Sequence, residues 1–272
     1  AGIVGSLGCA FSTIEHNDNT GVEVQPSIRF MWDRNDRENY WLSAARAVRT
    51  PSRADTDMFI HTLNMEGDPL PIAVYLFGNP NFKSEVLTSF ELGGRLRATK
   101  DLFIDVAAFY NAYDNLRTFD EGTPFVVMRP VPHVVAPYTF GNNLKAETGG
   151  LEVSATYQPS PAWKVDGSLS YLTDYFHLKP GTVDLFGTHS GERQGDKPSF
   201  MGSLRSSHSL SHGLNIDLSA HFVGRATSAN IPAYSRFDAR IGWKPCADAE
   251  LSLVIQNLFD NKHFEANSTL FE

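Results

Sequence analysis

The chain has 272 residues, with 23 Lys and Arg against 31 Asp and Glu, which gives a net charge of −8. This acidic balance argues against a nucleic-acid-binding protein, which would carry a basic face. No run approaches the ~18 consecutive apolar residues of a membrane helix, so any membrane crossing must use strands. The two cysteines, Cys9 and Cys246, have no spacing typical of a zinc site or a disulfide framework. The length fits one domain, and residues 1–272 are expected to form a single region.

Alternation of apolar and polar residues predicts strands along the whole chain. In residues 214–225, Leu214, Ile216 and Leu218 alternate with Asn215 and Asp217, which is the two-residue period of a strand. This segment is longer than the ~5 to 6 residues of a typical soluble strand and suits the ~9 to 11 residues of a tilted membrane strand. No segment has a helical period with caps, so an all-β antiparallel sheet is predicted. Eleven strands are expected, near residues 3–15, 22–32, 38–50, 85–98, 102–117, 145–158, 163–176, 197–209, 214–226, 233–244 and 249–259.

The predicted connections alternate between short turns and long loops. The short turns are residues 33–38, 99–101, 159–162, 210–213 and 244–249. The long or irregular connections are residues 16–21, 51–85, 119–144, 177–196, 226–231 and the tail after Phe259. Sorting of this kind is typical of an outer-membrane barrel, with short turns in the periplasm and long loops outside the cell. A soluble β-sandwich has no reason to sort its connections, although strand alternation alone also fits a sandwich.

Aromatic residues lie near the predicted strand ends. Those next to short turns are Trp32, Tyr40, Phe103, Trp163 and Trp243, and those toward the other ends are Tyr113, Tyr157, Tyr171 and Tyr175. Amphipathic rings prefer the level of the lipid headgroups, so two aromatic girdles are expected. Ordinary aromatics at strand ends are the alternative.

Three longer stretches carry more specific patterns. They are EVQPSIRFMWDRNDRENYWLSAARAVRTPSRAD (23–55), FELGGRLRATKDLFIDVAAFYNAYDNLRT (90–118) and IPAYSRFDARIGWKPCADAELSLVIQNLFDNKHFE (231–265). The first combines a strand, a short turn, a strand and an RTPSRA run. The second is similar to an ExG, hairpin and FYNxYDNL pattern, and the third to a penultimate hairpin that ends in QNLFD. With these stretches the sequence resembles the TonB-dependent receptors of the Gram-negative outer membrane, in register with the predicted strands.

The resemblance implies the C-terminal part of a barrel of about 22 strands, closed from the periplasm by an N-terminal plug domain. It implies that the chain is a fragment, with the plug, its TonB box and the final strand outside the sequence. Because an open sheet leaves unpaired edges in lipid, the fragment is not expected to insert alone. The implied location is the cell outer membrane, and the implied partners are membrane lipid and, through the plug, the TonB complex.

The implied function is energised uptake of a scarce nutrient, without an enzymatic reaction or a cofactor. A ferric siderophore is the expected cargo, and cobalamin or an oligosaccharide is the alternative within the family. Outside the family, the alternatives are a passive porin, an outer-membrane hydrolase and a soluble β-sandwich binding module.

Charged residues on the polar strand faces are expected to line the barrel interior. The set is Arg29, Glu91, Arg95, Arg97, Asp217, Arg225, Arg236 and Arg240. These residues are interpreted either as the cross-strand pairs that any hydrated barrel interior needs or as groups that contact the plug.

Ligand capture is expected in the long outer loops, since binding residues concentrate in loops held by a rigid scaffold. The candidates are Arg129, His133, Tyr138 and Phe140 in the loop of residues 119–143, and His189 and Arg193 in the loop of residues 177–197. Aromatic and Arg side chains suit an anionic, ring-bearing cargo. Solvated loop residues without a binding role are the alternative. The RTPSRA run at residues 49–54 is interpreted as setting loop geometry, because proline fixes φ.

The sequence contains no convincing catalytic or metal-binding constellation. Its nine histidines are scattered, and the GTHSGE stretch at residues 187–192 lacks the strand, elbow and helix that a nucleophile motif needs. Neither catalytic residues nor metal ligands are therefore predicted.

Overall fold

A computed structural model describes residues 4–17, 21–182, 197–246, 248–259 and 265. These described residues form fourteen strands in one sheet. They are β1 (Val4–Asn17), β2 (Gly21–Asn35), β3 (Glu38–Arg49), β4 (Phe59–Met65), β5 (Ile72–Phe77), β6 (Glu85–Arg97), β7 (Leu102–Glu121), β8 (Phe125–Val127), β9 (His133–Ser160), β10 (Trp163–Leu178), β11 (Phe200–Ser209), β12 (Leu214–Val223), β13 (Tyr234–Cys246) and β14 (Ala249–Ile255). One short helix, α1 (Arg53–Asp57), and a 3-10 turn (Ser211–Gly213) complete the fold. Neither of these described helices is long enough to cross a membrane.

Eleven of the strands form one antiparallel path, β1-β2-β3-β6-β7-β9-β10-β11-β12-β13-β14. These are the eleven strands predicted from the alternation, and the all-β antiparallel prediction is confirmed. Within the described residues, β1 and β14 are the two ends of the path and do not pair with each other.

Three strands and one helix were not predicted. Strands β4, β5 and β8 lie off the main path, and β5 pairs parallel to β9, with Ile72 opposite Val134 and Phe77 opposite Thr139. The predicted loop of residues 119–144 is wrong in its extent, because β7 runs on to Glu121 and β9 already starts at His133. The sequences of β4, β5 and β8, FIHTLNM, IAVYLF and FVV, are short and lack strict apolar–polar alternation, so the two-residue period does not predict them.

One face of the main sheet is apolar and uncovered. Leu42 lies directly opposite Leu92, and these side chains are 53% and 59% exposed, while Leu218 in the middle of β12 is 49% exposed. In a sandwich these rows would be buried by a second sheet. No such layer covers them in the described part of the chain, so the β-sandwich alternative is wrong. We call this face the outward face.

The opposite, inward face is polar and concave. A groove of about 630 Å³ runs along it, lined by residues from six neighbouring strands, β9 to β14. A curved single wall, apolar outside and polar inside, is the architecture of a membrane barrel wall.

Aromatic side chains mark the short-turn end of the outward face. The rings of Trp32 and Tyr40 lie 5.6 Å apart, and Tyr157 and Trp163 form an edge contact at 6.2 Å. The indole nitrogen of Trp243 donates to the backbone carbonyl of His212 at 3.2 Å. This arrangement fits the predicted girdle.

The strand register places three aromatic residues differently from the predicted girdles. Tyr157 belongs to the short-turn end, next to Trp163, and not to the opposite end. Phe103 and Tyr113 lie on the inward face of β7, because their neighbours Ile104 and Ala112 lie on the outward face.

Among the described residues, few side chains are buried, and most of them lie at the long-loop end. They are Ala73, Val74, Phe82, Val135, Phe140, Leu144, Ala146, Ala226 and Ile231, with Asp55, Thr56, Ser84 and Thr118 among the polar residues. The segments that supply most of them, residues 53–84 and 118–141, fold into a small structure over the rim of the wall, and we call it the outer platform. Ser52 caps α1 with its side chain, which agrees with the interpretation that RTPSRA sets loop geometry.

Candidate transport surfaces

The inward face carries an ordered series of charges across β11 to β14. Asp217 is its centre, because its carboxylate lies 2.9 Å from Arg205 and 3.2 Å from Arg240. The hydroxyl of Ser207 also donates to Asp217, at 2.7 Å. Arg240 in turn contacts Glu250 on β14 at 2.5 Å. Acid and base thus alternate from strand to strand, so each charge is compensated by its neighbours.

A second group of charges lies nearer the long-loop end of the same face. Arg236 and Asp238 are two residues apart on β13, and their side chains meet at 2.8 Å. His221 on β12 lies 3.8 Å from the same carboxylate, and the backbone nitrogen of Asn257 donates to it at 3.0 Å. This carboxylate therefore joins β12, β13 and the residues after β14.

A third group joins β3, β6 and β7. The indole nitrogen of Trp41 donates to Glu91 at 2.6 Å. Arg95 places its guanidinium 5.2 Å from the centre of the Trp41 ring and pairs with Asp105 at 2.7 Å. Gly93 lies beneath the indole, where any side chain would overlap the ring. Strand alternation predicts Glu91 and Arg95 on this face, but it does not predict Trp41 as their partner.

The remaining predicted interior residues are placed differently. Arg29 is on the inward face of β2, between the outward residues Ile28 and Phe30. Arg97 ends β6 and lines a groove of about 610 Å³ at the short turns. Arg225 lies beyond the end of β12, which stops at Val223, so it is not part of the charge series. That these residues contact a plug stays a prediction.

The four predicted ligand-binding residues in the described part of the chain, Arg129, His133, Tyr138 and Phe140, have different surroundings. Arg129 is exposed in the connection after β8, and the ring of His133 is hydrogen-bonded to the carbonyl of Val131 at 2.7 Å. Tyr138 is half-buried in β9, and its pKa is raised by burial and by the charge of Glu121. His189 and Arg193 lie outside the described residues.

Phe140 is buried, with only 3% of its surface exposed. Its ring packs against Phe119 at 5.2 Å and Phe82 at 6.4 Å, and the guanidinium of Arg117 lies 5.2 Å above it. The structure thus places Phe140 in the core of the outer platform and not on its surface.

A row of rings on the outer platform, partly exposed, is not among the predicted site residues. Phe59, His61, Tyr75 and Phe77 lie on one face of the β4–β5 hairpin, and we call them the ring strip. Phe59 stacks on Tyr75 at 5.4 Å with the planes 12° apart, and His61 lies 4.9 Å from Tyr75. Phe59 is 65% exposed and His61 is also exposed, whereas Tyr75 and Phe77 are half-buried, so the strip presents the rings of β4 to solvent. The alternation of rings at 59 and 61 and at 75 and 77 was the available signal.

A serine and a histidine are hydrogen-bonded, but their setting is not that of a hydrolase. Ser206 and His208 meet at 2.8 Å on the outward face, and His208 stacks on Trp163 at 5.9 Å. Among the described residues, no carboxylate pairs with His208. In the same residues, no group of three or more His, Cys, Asp or Glu side chains could hold a metal ion.

A sequence model of the family described as TonB dependent receptor-like, beta-barrel, matches residues 6–258. A search of the curated proteins finds no match.

Several solved structures are similar to this chain. The siderophore receptor PirA from Acinetobacter baumannii has a TM-score of 0.68 at 16% identity, over 90% of this chain and 38% of that one. A mutant of the ferric enterobactin receptor PfeA from Pseudomonas aeruginosa has a TM-score of 0.70 at 19% identity, over 93% and 37%. The ferric yersiniabactin uptake receptor FyuA from Yersinia pestis has a TM-score of 0.58 at 17% identity, over 88% and 32%. Another PfeA structure is a complex with enterobactin. At these identities the likeness shows the fold, and the chain spans less than two fifths of each of these structures.

Proposed function

We propose that this chain, which belongs to the TonB-dependent receptors of the Gram-negative outer membrane, forms part of the wall of a receptor that takes up a scarce nutrient with energy from the TonB complex. The family match over residues 6–258 carries the proposal. Proteins of this family are receptors and transporters and not enzymes. An outer-membrane hydrolase is therefore not proposed.

A ferric siderophore is the cargo we propose. The similar structures are named as siderophore or ferric enterobactin receptors, which supports this class of cargo. The ring strip adds support from the chain itself, because exposed aromatic faces suit a ring-bearing molecule through stacking. Arg129 and His133 remain proposed polar contacts at the same end of the wall.

The inward charge series is proposed as the surface that faces the plug. Its paired charges would keep the wall hydrated and offer alternating hydrogen-bond donors and acceptors to a polar partner. The plug and the TonB complex are partners of the whole receptor, and their contact with this chain is part of the proposal.

The proposal is tested with the complete gene. We expect a deletion strain to lose growth on one or more ferric siderophores as the iron source and to regain it from the intact gene. Uptake should stop when the proton-motive force is abolished with an uncoupler. Uptake that continues under the uncoupler would favour a passive porin instead. Unchanged growth of the deletion strain on every ferric siderophore would reject a ferric siderophore as the cargo.

A further inference from the structure

The outer platform is attached to the barrel wall through a buried carboxylate. Asp55 is 0% exposed, although it lies in the short helix α1, within the longest loop. Its carboxylate accepts hydrogen bonds from the backbone nitrogen of Ser52 at 2.9 Å and from the Ser52 hydroxyl at 2.8 Å. A buried carboxylate needs such partners because leaving it unpaired would be costly.

Two arginines from different strands of the wall also bind this carboxylate. Arg49 at the end of β3 donates to one oxygen and Arg117 on β7 donates to the other, each at 3.2 Å. Glu85 at the start of β6 lies between them, since it accepts from the side chain of Arg49 at 2.7 Å and from the backbone of Arg117 at 3.0 Å. We call these four residues, Arg49, Asp55, Glu85 and Arg117, the rim clamp.

Asp55 also holds the base of the β4–β5 hairpin. The backbone carbonyl of Asp55 accepts from the nitrogen of Asn79 at 2.8 Å, on the segment that leaves β5. The backbone nitrogen of the preceding residue, Gly78, donates to the backbone carbonyl of Met58 at 2.6 Å, and this bond closes the base of the hairpin. The side chain of Asn79 then donates to the carbonyl of Phe140 at 2.8 Å, in the core of the outer platform. Asp55 thus links the wall, by its side chain, to the hairpin, by its backbone.

We propose that Asp55 is a positioning residue, which through the rim clamp fixes the direction in which the β4–β5 hairpin presents the ring strip. The part of this proposal that concerns cargo binding rests on the proposed function. The hairpin is also paired to β9 through β5, so loss of the clamp would loosen the β4 side and the base of the hairpin, and only a fraction of molecules would present the strip correctly. The apparent dissociation constant then rises in inverse proportion to that fraction. The longest loop is therefore a fixed platform and not a mobile lid.

The test uses the full-length receptor with Asp55→Asn and the matched control Asp57→Asn. Asp57 is in the same helix, but its side chain is 61% exposed and pairs only loosely with Arg53, at 3.8 Å. Hydrogen exchange of the β4–β5 amides is measured first, and it needs no cargo. We expect Asp55→Asn to lower their protection by about tenfold or more, since local opening governs exchange. Asp57→Asn should leave it unchanged.

Binding of ferric enterobactin is measured next, together with thermal unfolding of the barrel. We expect Asp55→Asn to raise the dissociation constant about tenfold while the unfolding temperature and the maximal uptake rate stay the same. Unchanged hairpin exchange would overturn the proposal, as would loss of barrel and hairpin stability in parallel. If the wild-type receptor does not bind ferric enterobactin, the choice of cargo fails, and the exchange measurement still decides the clamp.

A second variant tests the same contact in case Asp55→Asn does not fold. Arg117→Gln removes the partner on β7 without altering α1, and it should raise hairpin exchange in the same way. Because the two side chains share one contact, the effect of the double variant on hairpin exchange should be smaller than the sum of the two single effects, although Arg117 also contacts the ring of Phe140. Additive effects would mean that the two residues act separately and would reject the clamp.

Discussion

Replacing Leu218 with arginine tests which face of the wall meets lipid. Leu218 lies four residues from Leu214 and five from Val223 on β12, which is ~13 Å and ~17 Å from the strand ends at a rise of ~3.3 Å per residue. In an apolar band ~25 Å tall it therefore lies near the membrane midplane. An arginine on the lipid face at that depth costs about 2–4 kcal/mol. We expect Leu218→Arg to lower the free energy of unfolding by that amount.

The matched control is the next residue, Ser219→Arg. Its side chain lines the inward groove, where water and the carboxylate of Asp217 are near. The same substitution should therefore change the free energy of unfolding by less than about 1 kcal/mol. The assay is reversible denaturant unfolding of the full-length receptor in lipid vesicles. Equal costs at the two positions, or a larger cost for Ser219→Arg, would refute the assignment of the apolar face to lipid.

Two further substitutions test other parts of the wall. Gly93→Ala should lower the free energy of unfolding by about 1–3 kcal/mol, because the new methyl group would overlap the indole of Trp41. The control is Gly167→Ala, where the nearest atom to the new methyl group is 3.6 Å away. This variant should cost less in the same unfolding assay. Asp217→Asn should cost under about 1 kcal/mol, because its arginine partners are partly exposed to water; a larger loss would mean that the charge series is the main stabiliser of this part of the wall.

Acid should release the β4–β5 hairpin. Burial alone would raise the pKa of Asp55, but hydrogen bonds from Ser52 and the charge of Arg49 outweigh it and lower that pKa. A lowered pKa means that the stabilisation is complete above the unfolded-state pKa of about 3.9 and is lost as the pH falls through the lower native value. Hairpin protection factors, corrected for intrinsic exchange, should therefore fall only below about pH 4. A loss between pH 5 and 7 would point to another group.

The main wall was predictable from the sequence because its signal is local. A strand repeats every two residues, and each side chain must match lipid or water, so alternation fixes both the strand and the face. Leu218 and Asp217 show this within one strand, and the inward placement of Glu91, Arg95 and Arg240 follows from the same rule. The sorting of short and long connections then distinguished a barrel from a sandwich.

The outer platform was decided by the tertiary structure alone. Its contacts join distant residues, such as Asp55 with Arg117 and Ile72 with Val134, and no local period encodes such pairs. Phe140 was predicted to be a ligand contact from its residue type, yet it packs in a core that forms only when β5, β7 and β9 meet. The residues of a strand determine by themselves which of its faces meets lipid and which meets water. Whether a given side chain is accessible to a ligand depends on which distant segments of the chain pack over it.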